Sequence, residues 1–307
     1  MGYDLIILGA GVAGLSSAVY ASRRALKTLV ISKDLGGQTA LALNIENYPG
    51  FSRIDGIDFM KTLQHQAETF GAEIKFETVN KIIPMGDQLT IVTASGQEYS
   101  AKAIILAFGR TPRYLDIPGE KKLIGKGVAY CATCDAPLFA GKDVAVVGGG
   151  NAAINTALLL SDIANKIYLV HRREEFRAEE IKINELKQSP KIEFVFNTVA
   201  TEIKGDPLVN QLVVKDIKTN TIRELSVQGV FVEIGNVVNS AWLGDLLKLN
   251  DQGEIIIDDF NHTSQPGIFA AGDATEVPYK QMVIAAGEGA KAALAAYDYI
   301  KKRSSSH

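Results

Sequence analysis

Cysteine is nearly absent from this chain: of 307 residues only Cys131 and Cys134 carry a thiol. Two thiols cannot form the disulfide framework that holds small secreted domains together, and a single Cys-x-x-Cys pair reads as redox chemistry rather than scaffolding. Charge of one sign is missing too. Against 35 acidic side chains stand 32 basic ones, for a formal net charge of −3, so no broad positive surface exists for nucleic acid. The histidines are few and scattered. His65, His171, His262 and His307 show no ligand spacing, and no second cysteine pair completes a zinc set, so no metal site is expected. The apolar run from Leu5 to Ala21 follows Asp4, has no basic segment before it and is broken by Gly9, Gly11 and Gly14. It therefore reads as a buried strand, a turn and a helix rather than a signal or membrane segment, and a soluble, cytoplasmic protein without membrane or nucleic-acid partners is expected.

What the chain does have is one pattern used twice. Asp4–Leu8 is a strand-like apolar run, Gly9–Gly14 a glycine turn, Leu15–Ala25 a helix-like stretch and Thr28–Ile31 a second strand. The same succession returns as Asp143–Val147, Gly148–Gly150, Ala152–Ala164 and Lys166–Val170. Both are βαβ units. Between them, Glu73–Thr78, Leu89–Thr93, Glu98–Ser100 and Ala103–Leu106 read as further strands of the first unit. Tyr114–Ile117, bracketed by prolines and a glycine, and Gly235–Gly244 read as two crossings between domains. The expected fold class is therefore α/β, with two Rossmann-like dinucleotide-binding domains. One domain, residues 116–245, is inserted into a discontinuous domain made of residues 1–115 and 246–307.

Gly9, Gly11 and Gly14 complete a G-x-G-x-x-G turn that follows a strand and opens a helix. The first glycine allows the tight turn, the second lets backbone approach a pyrophosphate, and the third lets the helix pack on the strand. The acid expected about 20 residues on to bind a ribose hydroxyl is replaced by Ser32, with Asp34 just beyond it. In the second unit Gly148, Gly150, Asn151 and Ala153 form a G-x-G-x-x-A variant. After its second strand come His171, Arg172, Arg173 and Arg177. An acid there would bind the diol of NADH, whereas a basic cluster offers charge-assisted donors to a 2′-phosphate, so NADPH is the expected nucleotide. Neutralisation of the arginines by Glu174 and Glu175, leaving a solvated charge run, is the alternative.

Cys131 and Cys134 lie between these turns, after Gly125-Lys126-Gly127 and at the start of a helix-like segment, where a helix dipole favours the thiolate. Asp135 either caps that helix or exchanges protons with the sulfurs. Near the C-terminus Gly272-Asp273 closes a strand in a carboxylate that is either a helix N-cap or a ligand.

With Gly36-Gly37-Gln38, Asn44–Gly50, Gly267–Asp273 and His171–Ala178, the chain resembles the two-dinucleotide-binding flavoprotein disulfide reductases, specifically the low-molecular-weight thioredoxin reductases. The resemblance runs from Asp4 to Tyr299. It implies FAD and NADPH as cofactors, with the inserted domain carrying the NADPH site and the dithiol. It assigns FAD binding to Gly9, Gly11, Gly14, Ser32, Gly37, Gln38, Asn47, Gly109, Asp273, Lys280, Gln281 and Met282, with Phe108 standing where the family more usually has threonine. It further implies that Cys134 faces the flavin, that Cys131 attacks the partner, that Asp135 moves the proton, and that the protein is a homodimer reducing thioredoxin or a thioredoxin-like disulfide. A flavoprotein reductase of a peroxiredoxin system, a disulfide-forming flavin oxidase and a non-catalytic flavin redox sensor share much of this pattern. Arg172 and Arg173 weigh against the oxidase.

Overall fold

The computed structural model describes residues 2–41, 45, 47–130 and 132–304, with the backbone alone for residues 41, 133, 134 and 304. The chain divides into two compact units, Met1–Thr111 with Val237–His307, and Pro112–Asn236.

The first unit opens with β1 (Gly2–Ala10), α1 (Val12–Arg23) and β2 (Thr28–Leu35), then α2 (Gly56–Thr69), β3 (Glu73–Phe76), β4 (Val79–Met85), β5 (Gln88–Thr93) and β6 (Glu98–Leu106). β1 lies parallel between β2 and β6, and its residues Leu5, Ile6, Ile7 and Leu8 are all buried. Continuous burial follows from cover on both faces. Leu5 and Ile7 pack with the helices in one core, Ile6 and Leu8 with Ile91, Ile255 and Leu243 in the other. The sheet order is β3-β2-β1-β6-β5-β4. Leu89 to Val92 pair antiparallel with Glu98 to Ala101 at the start of β6, while its end takes a later parallel strand.

After a two-residue strand, β7 (Thr111–Pro112), the second unit contains β8 (Val128–Ala129), α3 (Ala132–Asp135), β9 (Asp143–Gly148), α4 (Asn151–Ser161), β10 (Lys166–Val170), α5 (Glu180–Gln188), β11 (Ile192–Val195), β12 (Thr198–Gly205), β13 (Val209–Asp216), β14 (Ile222–Ser226) and β15 (Gly229–Glu233). Its main sheet, β11-β10-β9-β15-β8, is parallel throughout. α4 and α5 cover one face through Ile154, Leu160 and Leu186. A separate antiparallel sheet, β12-β13-β14, covers the other through Leu212, Val214 and Leu225 against Ala145, Val147 and Val230. The chain then runs through β16 (Asn236–Val237) and returns to the first unit as β17 (Ile268–Ala270) and α6 (Met282–Ser304).

The units divide earlier than the expected boundaries at 115 and 245. Tyr114–Ile117 is held inside the second unit: the buried Glu120 carboxylate accepts from the amides of Leu115 at 2.8 Å and Asp116 at 2.7 Å and from the Tyr130 hydroxyl at 2.7 Å. Residues 237–246 pack in the first unit because Val238 and Leu243 are buried in its core.

α6 lies against α1 at a distance only small residues permit. A Cβ on Gly289 would sit 2.1 Å from the Ala13 carbonyl oxygen. Ser17 donates to the Gly289 carbonyl at 2.8 Å and Ser16 to that of Ala286 at 2.8 Å, satisfying hydroxyls that the crossing buries. Replacing glycine by alanine inside a helix ordinarily stabilises by about 1 kcal/mol. Here the sign reverses: Gly289→Ala must part the two helices and is expected to destabilise by about 1–3 kcal/mol, measured by urea unfolding of cofactor-free protein. Unchanged or increased stability would contradict this packing.

Candidate functional site

In the first unit the glycine turn is shaped by backbone meeting backbone. A Cβ on Gly9 would lie 2.4 Å from the Ala107 carbonyl oxygen, and one on Gly14 only 1.8 Å from that of Gly9. Gly11, the N-cap of α1, has the opposite character: a Cβ there would meet no atom within 4 Å, and no side chain caps the first amides. The turn is thus closed behind and open in front, the form a pyrophosphate cradle requires.

The other predicted residues of this unit gather at the carboxyl ends of β1, β2, β6 and β17. Ser32 is partly buried on β2 and Gly37 starts the turn after it. Gln38 donates through Nε2 to the Arg110 carbonyl at 2.9 Å, next to Gly109, while Arg110 Nε donates to the Asp273 carbonyl at 2.9 Å. Asn47 donates to Gln281 Oε1 at 3.3 Å, and Met282 begins α6. Asp273 is half-buried, and among the described residues no donor reaches its carboxylate. Burial raises its pKa, with Lys280 and Arg110 opposing. Lys280 points inward, bonding the Thr275 carbonyl and lying 3.4 Å from Glu254, and burial together with Arg110 pushes its ammonium down to about 8.

In the second unit the turn is tighter. A Cβ on Gly148 would lie 2.3 Å from the Glu233 carbonyl oxygen and 2.8 Å from the Ala153 Cβ, so the alanine in third place already fills the helix–strand contact. Gly150 caps α4 without a side-chain bond. The basic segment is stitched to this turn: the Arg177 amide donates to the Gly149 carbonyl at 2.7 Å and the Glu179 amide to Asn151 Oδ1 at 2.9 Å. Glu174 pairs with Lys218 rather than with an arginine. Among the described residues no carboxylate pairs with Arg172, Arg173 or Arg177, so Glu174 and Glu175 do not neutralise them.

His171 is placed differently from the arginines. It is 8% exposed, stacks on Phe176 with ring centroids 5.4 Å apart, and bonds the Glu175 carbonyl through Nε2 at 3.0 Å. A Cβ on Gly149 would strike its ring at 2.1 Å. Burial first, and the neighbouring arginines after it, lower its pKa, so it is neutral near pH 7. Its contribution is to seat the glycine turn and not to add charge.

Cys131 lies outside the described residues, as does the side chain of Cys134, whose backbone belongs to α3. Asp135 ends that helix half-buried, its carboxyl raised by burial. Among the described residues no acidic, histidine or cysteine cluster could hold a metal ion, and no helix is long and apolar enough to cross a membrane.

Sequence reasoning missed two polar elements. Arg110 forms an ion pair with Glu254 whose side chains are 19% and 9% exposed, organising the strand ends beneath Asp273. Glu233, the last residue of β15, accepts from the Thr156 hydroxyl of α4 at 2.9 Å, and burial pushes its carboxyl up to about 7. An acid ending the apolar strand Gly-Val-Phe-Val-Glu was the available signal.

Residues 3–289 match the model of the pyridine nucleotide-disulphide oxidoreductases. A thioredoxin reductase of Treponema pallidum is 42% identical over 300 residues, covering 97% of each chain. An alkyl hydroperoxide reductase component of Pseudomonas putida is 38% identical over 98% of this chain and 59% of its own length. The crystal structure of Lactococcus lactis thioredoxin reductase superposes with a TM-score of 0.80 at 36% identity, covering 98% of this chain and 99% of that one.

The raised Glu233 carboxyl has a stability consequence whose sign is fixed. The folded state holds the proton up to about pH 7, the unfolded chain to its ordinary 4.5. The contribution is fully present below 4.5 and is lost as pH rises through 7, by up to about 3 kcal/mol. Urea unfolding of parent and Glu233→Gln at several pH values should therefore show the parent losing ground to the variant across this window. Parallel profiles would show that the carboxyl is not perturbed.

Proposed function

The chain belongs to the pyridine nucleotide-disulphide oxidoreductase family, and on that premise we propose that it is an NADPH-dependent, FAD-containing reductase serving thioredoxin or a thioredoxin-like protein. Electron pairs pass to the partner disulfide through Cys131 and Cys134. The observation that carries the reading is the unpaired arginine cluster stitched to the second glycine turn, in a chain whose first turn is built for another dinucleotide.

The residues fit both cofactors. In the first unit the open front of Gly11, the uncapped start of α1 and the unpartnered Asp273 carboxylate suit the pyrophosphate and hydroxylated chain of FAD. Gly37, Gln38, Asn47, Gly109, Lys280, Gln281 and Met282 border the same strand ends. In the second unit the α4 amides suit the NADPH pyrophosphate, and Arg172, Arg173 and Arg177 its 2′-phosphate. When bound, the two cofactors supply hydride transfer and the passage of an electron pair to a disulfide. The protein's own part is to hold them and to exchange sulfur. Cys131, as thiolate, attacks a sulfur of the partner disulfide and displaces the other as a thiolate. Cys134 then attacks Cys131, releasing the second partner thiol and closing the Cys131–Cys134 disulfide. Asp135, its carboxyl raised by burial, gives and takes the thiol proton. We carry over a homodimer from the family resemblance and a cytoplasmic location from the reading of the N-terminal sequence.

One observation favours a second acceptor, a peroxiredoxin system: the 38% identity to the alkyl hydroperoxide reductase component, of which this chain spans 59%. Purified protein supplied with NADPH and either oxidised thioredoxin or an oxidised peroxiredoxin separates the two, and turnover with thioredoxin is expected. Loss of Arg172 and Arg173 together removes charge-assisted contacts of about 1.5–3 kcal/mol each. The double alanine variant should therefore lose roughly 10²-fold or more in kcat/KM for NADPH while its NADH kinetics stay nearly level. Equal kcat/KM for the two nucleotides in the parent would refute the assignment.

A further inference from the structure

The second unit carries a carboxyl group for which thiol exchange and phosphate binding have no use, and its position in the sheet gives it one. The strand order β11-β10-β9-β15-β8 reverses direction at β9: the chain leaves β9 through α4 toward β10, while β15 and β8 lie on the opposite side. Open α/β sheets bind ligands across the carboxyl ends of the strands at such a reversal. The arginines follow β10 and therefore place the 2′-phosphate half on that side, with the pyrophosphate on the amides of α4. The remaining half of a dinucleotide extends the other way, over the end of β15.

Glu233 is the residue waiting there. It ends β15 and pairs in register with Gly148 of the turn. The Thr156 hydroxyl, 4% exposed, donates to its Oε1 at 2.9 Å, and among the described residues Oε2 has no partner. Resting on the reading of this unit as the NADPH site, we infer that Glu233, oriented by Thr156, binds the carboxamide of the nicotinamide ring and fixes the position of that ring. A carboxamide offers two N–H donors and one carbonyl acceptor. The ionised carboxyl accepts from the former and the protonated one donates to the latter, but the ionised form also attracts the positive charge of the oxidised ring.

The surroundings leave this charge largely undisturbed by other ionisable groups. α4 carries no charged residue and β8 none; β9 has only Asp143, at its far end. Tyr130, just beyond β8, is bonded to Glu120. α3, packed against α4, brings Cys134 and Asp135. The causes that move the Glu233 carboxyl to about 7 are burial and the opposing Thr156 bond.

The test uses the FAD-loaded, oxidised protein and two non-reducing ligands, NADP⁺ and 2′,5′-ADP, the second of which lacks the nicotinamide. Binding is measured by calorimetry from pH 5.5 to 8.5. In the parent, NADP⁺ affinity relative to 2′,5′-ADP should rise roughly tenfold through pH 7. The reference ligand cancels titration of the 2′-phosphate and of His171. In Glu233→Gln that rise should vanish while 2′,5′-ADP binds as in the parent. In Thr156→Val, which keeps the carboxyl but removes the bond favouring its ionised form, the rise should persist with its midpoint moved to higher pH. A pH-dependent ratio unchanged in Glu233→Gln, or 2′,5′-ADP weakened as much as NADP⁺, would overturn the inference. Failure of 2′,5′-ADP to bind the parent would instead remove the NADPH reading of this unit, and the inference with it.

Discussion

Everything distinctive about this protein depends on two helices that begin with their own amides unsatisfied. α1 and α4 start at Gly11 and Gly150, with no side chain capping either. Ordinary helices bring a serine, threonine or aspartate to that place because the first amides have no partner within the helix. Leaving both bare costs stability unless an anion completes them. The contacts of 1.8 Å and 2.3 Å that a Cβ would make at Gly14 and Gly148 measure how closely the backbone has been drawn in. The apolar parallel strands that lead into the turns, covered on both faces, hold those turns in place.

The units differ in what surrounds the turn. In the first, charge is paired and buried: Arg110 and Lys280 share Glu254, and Asp273 lies within their field with its own carboxylate unbonded. That arrangement suits a neutral, hydroxylated ligand chain that must be held for the life of the protein. In the second, Arg172 and Arg177 stand exposed and Arg173 half-buried beside the turn, with no carboxylate partner among the described residues, and the buried neutral His171 acts beneath them as a spacer. In the proposed function these arginines bind a phosphate that arrives and leaves with each turnover, and the same backbone device serves a resident cofactor and a substrate nucleotide, with side-chain charge deciding which.

Much of this was legible in the sequence because it is local. Both turns, the strands before them and the basic segment are written in consecutive residues with a fixed order. Helix ends moved by a few residues: α1 starts at Val12, since the last residues of the glycine turn are already helical. The β12-β13-β14 sheet escaped notice because its burial comes from the facing strands of the main sheet. The domain boundaries shifted for a related reason. Proline and glycine mark Tyr114–Ile117 as a bend, but only the fold brings Glu120 and Tyr130 round to tie it down. Glu233 was not singled out in the sequence, because only the fold brings Thr156, 77 residues earlier, onto it. Cys131 and the Cys134 side chain lie outside the described residues, so their roles rest on sequence and family.

The central claim is that Cys131 and Cys134 store an electron pair in series with the flavin. Anaerobic dithionite titration of the FAD-loaded protein, followed by flavin absorbance, tests it most directly because it needs neither nucleotide nor partner. The parent should take up two electron pairs per chain, one for the flavin and one for the disulfide, and Cys131→Ser only one. Equal uptake by the two proteins would contradict the account.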